Sequence, residues 1–456
     1  MKSALTDRGL RAVCVQLPPG RPLDPARLAL GESRAVGALF ASSWRTLAGI
    51  GSVLDIPLHE GLEGEARAPH VLATLEAIPC IGDLSVPGSG PVALGAIPFD
   101  RRAPTRLTVP EVIYGSEPGG TEWVTFVGDG RLPVPRDELR DHLAALAASS
   151  PRSELSPVPV VRELRLDVDD RDLGRRVAHA LSSIAAGHLQ KVVLARSLQI
   201  VLEAPVDPYA VHCRLAGVEP TAMQFAFVSG KSSFLGASPE LLVRLERGAV
   251  TSEPLAGTVR LSGDRAGDAA ALEALQRSAK EAHEHRLVVD AVAGALREHC
   301  SSVLVPSRAC TVRLRDLAHL ATRIEGTLRA DAGTGVLSLA AALHPTPAVA
   351  GSPRQAALAL IEAIEPDGRG LYAGPVGWMD SRGDGEMAVA IRSLSVSSNR
   401  VRALAGAGVV AGSDPTSEAR ETAVKLATAL AGLGLSSSFA LDPPHGESDR
   451  LGGVAS

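Results

Sequence analysis

The sequence is poor in aromatic residues, which make up 3% of its 456 positions. So few aromatic side chains offer little surface for stacking against the bases of a single-stranded nucleic acid. The net charge of -5 provides no basic surface either, so we expect no nucleic-acid partner. The chain also lacks any apolar run of about 18 residues, so we expect no transmembrane helix and no membrane partner.

Cysteine is scarce too, and the five cysteines are scattered without a C-x-x-C pair. An odd, dispersed set favours a reducing compartment over disulfides or a zinc site. The N-terminus carries Asp7 and Arg8 where a signal peptide would have its apolar region. We therefore predict a soluble, cytoplasmic protein.

The chain does contain enough apolar residues for a large core, at 45% of the total. Its length allows about three domains or one large α/β domain. The best linker is the Pro-rich stretch 151–159 (PRSELSPVP), and residues 436–456 form a polar, Gly/Pro/Ser-rich tail that we predict to be disordered.

Strand and helix patterns follow the Pro-rich stretch and favour a mixed α/β fold. A β-branched strand is predicted at His188–Arg196, and four short strands between 223 and 252 predict an antiparallel meander. Residues 269–300 read as one long helical segment. The last helix is predicted from Pro415 to about residue 431, where Gly432 is placed to end it.

The stretch 405–425 (AGAGVVAGSDPTSEARETAVK) joins a glycine-spaced strand end to a helix start, with Asp414 placed as N-cap. Glu418, Glu421 and Lys425 share one helix face, because they stand at i, i+3 and i+7. Two carboxylates beside a glycine turn could form a small-molecule site. An ordinary solvated pair of Glu421 with Lys425 explains the same spacing.

The glycines of this stretch also invite a dinucleotide-binding interpretation. The signal is weak, because Gly412 lies one residue too far from Gly408 for the G-x-G-x-x-G pattern that would begin at Gly406. Backbone N–H groups in such a turn could instead receive a carboxylate.

Two titratable residues stand in apolar strand contexts. Lys191 begins the strand KVVLAR, where a partly desolvated lysine could serve as a general base; the alternative is a lysine that reaches water from the strand end. Glu240 follows a Gly-Ala-Ser-Pro turn and precedes two leucines. Burial there could raise its pKa and suit it to act as a general acid, whereas a strand-end glutamate in water is the alternative.

A second acidic helix is predicted around 278–285 (SAKEAHEH), with Glu281 and Glu284 on one face. Paired carboxylates without cysteine or paired histidine favour a hard cation such as Mg²⁺ over zinc. A charged, solvated helix face is the ordinary alternative. The HEH spacing differs from the HExxH of a zinc protease.

Read together, several stretches resemble the chorismate-utilising enzymes, and within them the isochorismate synthases. The matching stretches are KVVLAR (191–196), FLGASPELL (234–242), EPLAGTVR (253–260), KEAHEH (280–285), HLATRIEGTL (319–328), LHPTPAVAGSP (343–353), RGLYAGPVGWMDSRGDGEMAVAIRS (369–393) and AGAGVVAGSDPTSEARETAVKL (405–426). The resemblance implies an α/β (α+β) fold: one large domain of two intertwined subdomains, with largely antiparallel sheets flanked by helices and the active site between them.

Composition and the resemblance, which covers about residues 175–432, together predict how the chain is divided. Residues 1–20 would be an N-terminal extension and 21–174 the N-terminal part of the fold. Residues 175–434 would be the chorismate-binding catalytic region, followed by a disordered tail over 435–456. The Pro-rich stretch then becomes an internal crossing between subdomains.

The resemblance also implies roles for single residues. Glu284 and Glu421 match ligands of Mg²⁺, and Glu281 and Glu418 match second carboxylates beside them. The ion would clamp the ring carboxylate of chorismate. The positions that hold the carboxylates of the substrate are matched by Tyr372, Arg392, Gly406, Gly408 and Lys425.

The implied reaction is the isomerisation of chorismate to isochorismate, which feeds menaquinone, siderophore or salicylate synthesis. Lys191 would activate a water that attacks C2 of the ring, and Glu240 would protonate the departing C4 hydroxyl. His344 would orient the C4 end of the ring.

The branch of the family follows from finer matches. Members that use ammonia typically lack a lysine at the position of Lys191, so we expect no glutaminase subunit, and we expect a monomer. The HPTPA sequence at 344–348 resembles isochorismate synthases more than salicylate synthase, which stays an alternative. A non-catalytic small-molecule-binding protein is the alternative of another class. Met387, where many relatives carry Trp, is interpreted as a packing variation.

Overall fold

The computed structural model describes residues 9–31, 35–59, 67–82, 85–148, 157–330 and 334–436. The predicted linker up to residue 156 and the predicted tail from residue 437 lie outside the described residues. The described helices are α1 (Pro25–Leu30), α2 (Arg67–Glu76), α3 (Leu139–Ala148), α4 (Asp170–Ala185), α5 (Pro208–Val218), α6 (Arg265–Arg277), α7 (Ala279–His299), α8 (Val336–Leu343), α9 (Arg354–Ile364) and α10 (Pro415–Leu433).

The described strands fall into three sheets. They are β1 (Arg11–Gln16), β2 (Val36–Ala41), β3 (Thr46–Ile50), β4 (Leu54–Leu58), β5 (Cys80–Gly82), β6 (Val92–Ala96), β7 (Thr105–Val109), β8 (Val112–Ser116), β9 (Glu122–Gly128), β10 (Val161–Leu166), β11 (Lys191–Leu202), β12 (Met223–Ser229), β13 (Ser232–Ser238), β14 (Leu241–Glu246), β15 (Ala249–Glu253), β16 (Leu255–Arg260), β17 (Cys300–Leu304), β18 (Cys310–Arg313), β19 (Leu317–Ala321), β20 (Ile324–Leu328), β21 (Gly351–Ser352), β22 (Pro375–Asp380), β23 (Gly385–Val389), β24 (Ser393–Ser397) and β25 (Arg400–Val410).

The large sheet has thirteen strands in the order β10-β11-β25-β24-β13-β12-β2-β3-β8-β9-β1-β5, with β21 beside β11. The second sheet has nine strands in the order β17-β20-β15-β14-β23-β22-β6-β7-β4, and a small sheet pairs β16, β19 and β18. Among these strands, β1 and β5 pair in parallel and the other pairings are antiparallel. The predicted α/β class with largely antiparallel sheets flanked by helices is confirmed.

The large sheet is buried on both faces, and β2 shows how its sequence allows this. Side chains alternate between the two faces of a strand. Ala38 and Phe40 enter a core shared with the second sheet, whereas Leu39 enters a separate core formed with α1, α3, α5 and α10. An uninterrupted apolar run therefore suits a strand covered on both sides.

The chain passes between the two larger sheets beside the positions that the sequence singled out. It leaves the large sheet after β13 through Glu240 and returns from the second sheet after β23 through Arg392. The two passages are hydrogen bonded, because Val389 N donates to Glu240 O at 3.0 Å and Ala237 N donates to Arg392 O at 3.2 Å. Two distant parts of the sequence are thus brought side by side.

Three local expectations need correction. The four strands predicted as one meander belong to two sheets, because the turn at Glu240 carries the chain from one sheet to the other. The long helical segment is two helices: Ser278 has an extended backbone, and its Oγ accepts from Glu281 N at 3.2 Å to begin α7. The last helix ends at Gly434, with φ of 79°, and not at Gly432.

Two further observations concern the ends and the surface. Residues 11–16, within the predicted N-terminal extension, form β1, which pairs with β9 inside the large sheet. Within the described part of the chain, no helix has both the length and the apolar character needed to cross a bilayer.

Candidate active site

Most of the predicted site residues line one cavity where the two larger sheets meet the helices α7 and α10. The cavity holds about 690 Å³ of empty space, part of it open to solvent. Nine residues named from the sequence line it: Lys191, Glu240, Glu284, Tyr372, Arg392, Gly406, Gly408, Glu421 and Lys425. Three others, Glu281, His344 and Glu418, are not among the lining residues.

Lys191 is the first residue of β11 and lies between β25 and β21. Only 1% of it is exposed, so the alternative of a lysine that reaches water does not describe it. Its Nζ pairs with Glu284 Oε1 at 2.8 Å. The amino group is therefore held inside the cavity by the carboxylate of α7.

Glu240 occupies the passage between the sheets and is 3% exposed. Ser238 Oγ accepts from its backbone N–H at 3.2 Å and donates to Val389 O at 2.6 Å, which fixes the turn. Burial raises the pKa of Glu240 to about 7, although the positive charges of Lys191 and Lys425 oppose the rise. A carboxyl of this kind can give up a proton near neutral pH.

Two glycines of β25 leave room for the cavity. A Cβ on Gly408 would lie 2.4 Å from Glu284 Oε1 and 3.2 Å from Lys191 Cε. A Cβ on Gly406 would lie 2.9 Å from Val193 Cγ1 and 3.3 Å from the Tyr372 hydroxyl. The glycines are thus required by close approach of side chains, and both lie inside β25, paired with β11, and not in a turn.

Arg392 projects into the cavity from a strained backbone. Its φ is 54°, in the left-handed region that non-glycine residues rarely occupy. The residue is 6% exposed, and its Nη1 donates to Thr428 Oγ1 of α10 at 3.3 Å. Ala373, next to Tyr372, has a φ of 64°. Strain of this kind concentrates at functional sites.

Helix α10 presents Glu421 and Lys425 to the cavity. Asp414 begins the helix as predicted, because its Oδ2 accepts from Ser417 N at 2.8 Å. Lys425 Nζ contacts Glu421 Oε1 at 2.5 Å and donates to Gly406 O at 2.8 Å. The pair is the i,i+4 contact that its spacing allows, yet it faces a cavity and not bulk water.

Glu281 and Glu418 lie behind the lining carboxylates. Lys280 Nζ bridges them, 3.3 Å from Glu281 Oε1 and 3.8 Å from Glu418 Oε1. Burial and the neighbouring Glu284 raise the pKa of Glu281, and burial and Glu421 raise the pKa of Glu418. Negative charge is therefore crowded between α7 and α10.

These carboxylates are the residues that could hold a cation. Among the residues that the structure describes, no three His, Cys, Asp or Glu side chains converge in a ready-made metal site. The lining carboxylates instead contact the amino groups of Lys191 and Lys425. All four candidates offer oxygen donors, which suit a hard divalent cation.

His344 lies outside the cavity wall. Its Nε2 donates to Phe99 O at 2.9 Å, and its ring packs edge-on against the Phe99 ring. Burial lowers the pKa of His344 to about 3, so the ring is neutral. The structure gives it no contact with the space where a substrate would sit.

Two polar lining residues were missed by the sequence analysis. Thr258 and His319 are cross-strand partners in the small sheet, and Thr258 Oγ1 shares a hydrogen bond of 3.1 Å with His319 Nδ1. Thr258 N also donates to Glu281 Oε2 at 3.0 Å. Both residues lie in the stretches EPLAGTVR and HLATRIEGTL, where a polar residue inside a buried strand was the available signal.

Comparison with known proteins gives the family. The sequence model of one family, described as chorismate binding enzyme, matches residues 32–434. The chain belongs to the chorismate-binding enzymes. The match runs from before β2 to the end of α10 and so includes all the lining residues named above.

Individual relatives of this chorismate-binding enzyme agree with the family. Isochorismate synthase EntC of Escherichia coli (strain K12) is 37% identical over 400 residues, 87% of this chain and 94% of that protein. Isochorismate synthase DhbC of Bacillus subtilis (strain 168) is 37% identical over 354 residues, 76% of this chain and 82% of that protein. The structure of MenF, the menaquinone-specific isochorismate synthase from Escherichia coli, superposes with a TM-score of 0.77 at 25% identity, covering 93% of this chain and 95% of MenF.

Proposed function

We propose that this protein is an isochorismate synthase, an isomerase that converts chorismate to isochorismate with the help of Mg²⁺. The observation that carries the proposal is the placement of Lys191 and Glu240 on the wall of one cavity, a buried amine and a buried acid with a pKa of about 7. Relatives over most of the chain are named isochorismate synthases, which supports the same reaction.

Lys191 and Glu240 divide the proton transfers. Lys191 takes a proton from the water whose oxygen bonds to C2 of the ring. The ring double bonds shift as the C4 hydroxyl leaves, and Glu240 gives that hydroxyl its proton. One water enters and one leaves, so the overall change is an isomerisation. General acid and base catalysis of this kind contributes about 10²- to 10⁴-fold each.

Cationic and backbone groups hold the substrate. Arg392 offers a planar fork that suits a bidentate carboxylate contact, and Lys425 and Tyr372 stand beside it. The backbone at Gly406 and Gly408, which lines the same cavity, adds further contacts to the carboxylates of the substrate. The role of His344 in orienting the C4 end of the ring is not part of this proposal, because its Nε2 donates to Phe99 O and neither residue lines the cavity.

Mg²⁺ would be held by Glu284 and Glu421, with Glu281 and Glu418 as the carboxylates behind them. The donor set fits, because four buried or half-buried carboxylates crowd between α7 and α10 and their mutual repulsion favours a divalent cation. When bound, the ion would neutralise and orient a ring carboxylate of chorismate.

The setting of the enzyme is also part of the proposal. We place it in the cytoplasm as a monomer that uses water and needs no glutaminase subunit. Its product would enter menaquinone, siderophore or salicylate synthesis, and the structural neighbour MenF, which is named menaquinone-specific, supports the first of these.

The test is to incubate the purified protein with chorismate and Mg²⁺, with and without EDTA, and to separate the products by chromatography. Isochorismate that disappears with EDTA is the expected result. Lys191→Ala is the matched variant: it should abolish turnover while chorismate still binds by calorimetry.

Other outcomes would replace the proposal. Salicylate with pyruvate would make the protein a salicylate synthase that uses the same cavity. Binding of chorismate without any product, with ammonia also supplied, would leave a binding protein. Full turnover by Lys191→Ala would remove that lysine as the base.

A further inference from the structure

The strand that carries Lys191 lacks a partner strand along part of one edge. On that side β21 pairs with Lys191 and Val192, and β10 first meets β11 at Leu198. The intervening backbone must find other hydrogen-bond partners, because an unpaired polar group is costly to bury. Val193 and Ala195 are buried in this gap.

An ion pair fills much of the gap. Glu365 Oε1 accepts from Ala195 N at 2.8 Å, and Arg369 Nη2 donates to Val193 O at 2.7 Å. The two side chains are joined to each other, since Arg369 Nε donates to Glu365 Oε2 at 2.7 Å. Their side chains are 8% and 1% exposed, so water does not replace these bonds.

Arg369 also reaches two other parts of the cavity wall. Its Nη1 donates to Val349 O at 2.6 Å, in the loop after α8, and its own carbonyl accepts from Tyr372 N at 3.1 Å. Val193, Val349 and Tyr372 all line the cavity, whereas Arg369 does not. The guanidinium therefore joins two separate wall segments, and the backbone of the same residue contacts a third, although Arg369 itself does not line the cavity.

We infer that Glu365 and Arg369 form a positioning pair that holds the strand of Lys191 in place against the adjoining loop that carries Val349 in the wall of the active site. The inference rests on the proposed function. Lys191 lies two residues from Val193, so a shift of β11 away from the Val349 loop displaces the base from the ring. A misplacement of about 1 Å can cost about 10²-fold in rate.

The test compares Arg369→Lys with Arg140→Lys. Arg140 has the same architecture away from the cavity: its guanidinium donates to Pro18 O and Arg21 O and pairs with the carboxylate of Glu122. A lysine keeps the charge but cannot span several acceptors with a planar fork. Both variants should lose some thermal stability.

The two variants should differ in catalysis. We expect Arg369→Lys to lower kcat about 10- to 100-fold with the Kd for chorismate close to wild type, and Arg140→Lys to keep both. Glu365→Gln, which retains an acceptor for Ala195 N, should lose less than Arg369→Lys. An unchanged kcat per folded molecule in Arg369→Lys, or an equal loss in Arg140→Lys, would overturn the inference.

Hydrogen exchange separates this inference from the proposed function. Amides of residues 192–196 should exchange faster in Arg369→Lys than in wild type and Arg140→Lys. If these amides exchange faster in Arg369→Lys but the wild type makes no isochorismate, the proposed reaction is refuted, whereas the role of Glu365 and Arg369 in holding β11 stands. Unchanged exchange in Arg369→Lys would refute the role of the positioning pair, whatever reaction the protein catalyses.

Discussion

Glu240 keeps its proton near neutral pH because of the place where the chain changes sheets. The turn buries the carboxyl, and burial disfavours its charged form. The pKa is raised to about 7 against the opposing charges of Lys191 and Lys425. The same residue type in an open turn would be ionised at neutral pH and would have no proton to give.

Glu240→Gln should therefore remove most of the activity and also the alkaline limb of the pH–rate profile, that is, the fall in rate at high pH. Because a general acid must be protonated, kcat/KM should fall as the pH rises above about 7 in the wild type. The glutamine has no proton to transfer, so turnover should drop by about 10²- to 10⁴-fold and the remaining rate should lack this limb. Initial rates measured from pH 5.5 to 9, in steps of roughly half a unit, give the comparison.

A second buried glutamate serves as the matched control. Glu386 also has a pKa raised to about 7 by burial, but it does not line the cavity. Glu386→Gln should keep both the rate and the limb. If the alkaline limb survives in Glu240→Gln and vanishes in Glu386→Gln, Glu240 is not the general acid.

The helices α7 and α10 show which features of the site can be predicted from local sequence spacing and which cannot. The acidic faces of α7 and α10 follow from i, i+3 spacing, and the Asp414 cap was predicted and is observed. Their facing each other depends on how two sheets pack, which local spacing does not encode. The predicted end of α10 at Gly432 is wrong because it also depends on packing between elements. Gly432 packs against Leu215 of α5, whereas Gly434 takes the left-handed conformation that ends the helix.

Cross-strand register explains the residues that were missed. Thr258 and His319 are 61 positions apart, and only the pairing of β16 with β19 brings them together. The family resemblance supplied what local patterns could not, since it implied the cavity around Lys191, Glu240 and Arg392. The catalytic and metal roles of these residues stay predictions.

The two glycines of β25, Gly406 and Gly408, allow a prediction about how this strand supports the site. In Gly408→Ala the new Cβ would lie 2.4 Å from Glu284 Oε1, the far end of a flexible side chain. The fold should tolerate the change, but the pair of Glu284 with Lys191 should be displaced. We expect kcat/KM to fall about 10- to 100-fold, with a higher Mg²⁺ concentration for half-maximal rate.

Gly294→Ala on α7 is the control for this change. An added Cβ there meets nothing within 4 Å, and alanine favours a helix by about 1 kcal/mol over glycine. It should raise stability and leave activity unchanged. Normal kinetics and an unchanged Mg²⁺ titration for Gly408→Ala would show that β25 does not need a glycine for the site.

At the scale of the whole molecule, the two larger sheets are joined by buried polar contacts as well as by a shared core. Glu386 lies on β23 of the second sheet, and Ser42, which follows β2 of the large sheet, donates to its Oε2 at 3.0 Å. Arg45 and Arg244 oppose the rise in the pKa of Glu386, yet burial still raises it to about 7. The junction is therefore more stable when the carboxyl is protonated.

Glu386→Gln should flatten the dependence of stability on pH. A folded pKa of about 7 against an ordinary value of 4.5 corresponds to about 3 kcal/mol that is present below pH 4.5 and lost as the pH rises through 7. Urea unfolding at pH 5 and pH 8.5 should thus show a larger fall in the free energy of unfolding for wild type than for Glu386→Gln. Glu325→Gln, a half-exposed position on β20 of the same sheet, should keep the fall of the wild type. Parallel losses in wild type and Glu386→Gln would mean that the carboxyl at this junction is ionised in the folded protein throughout.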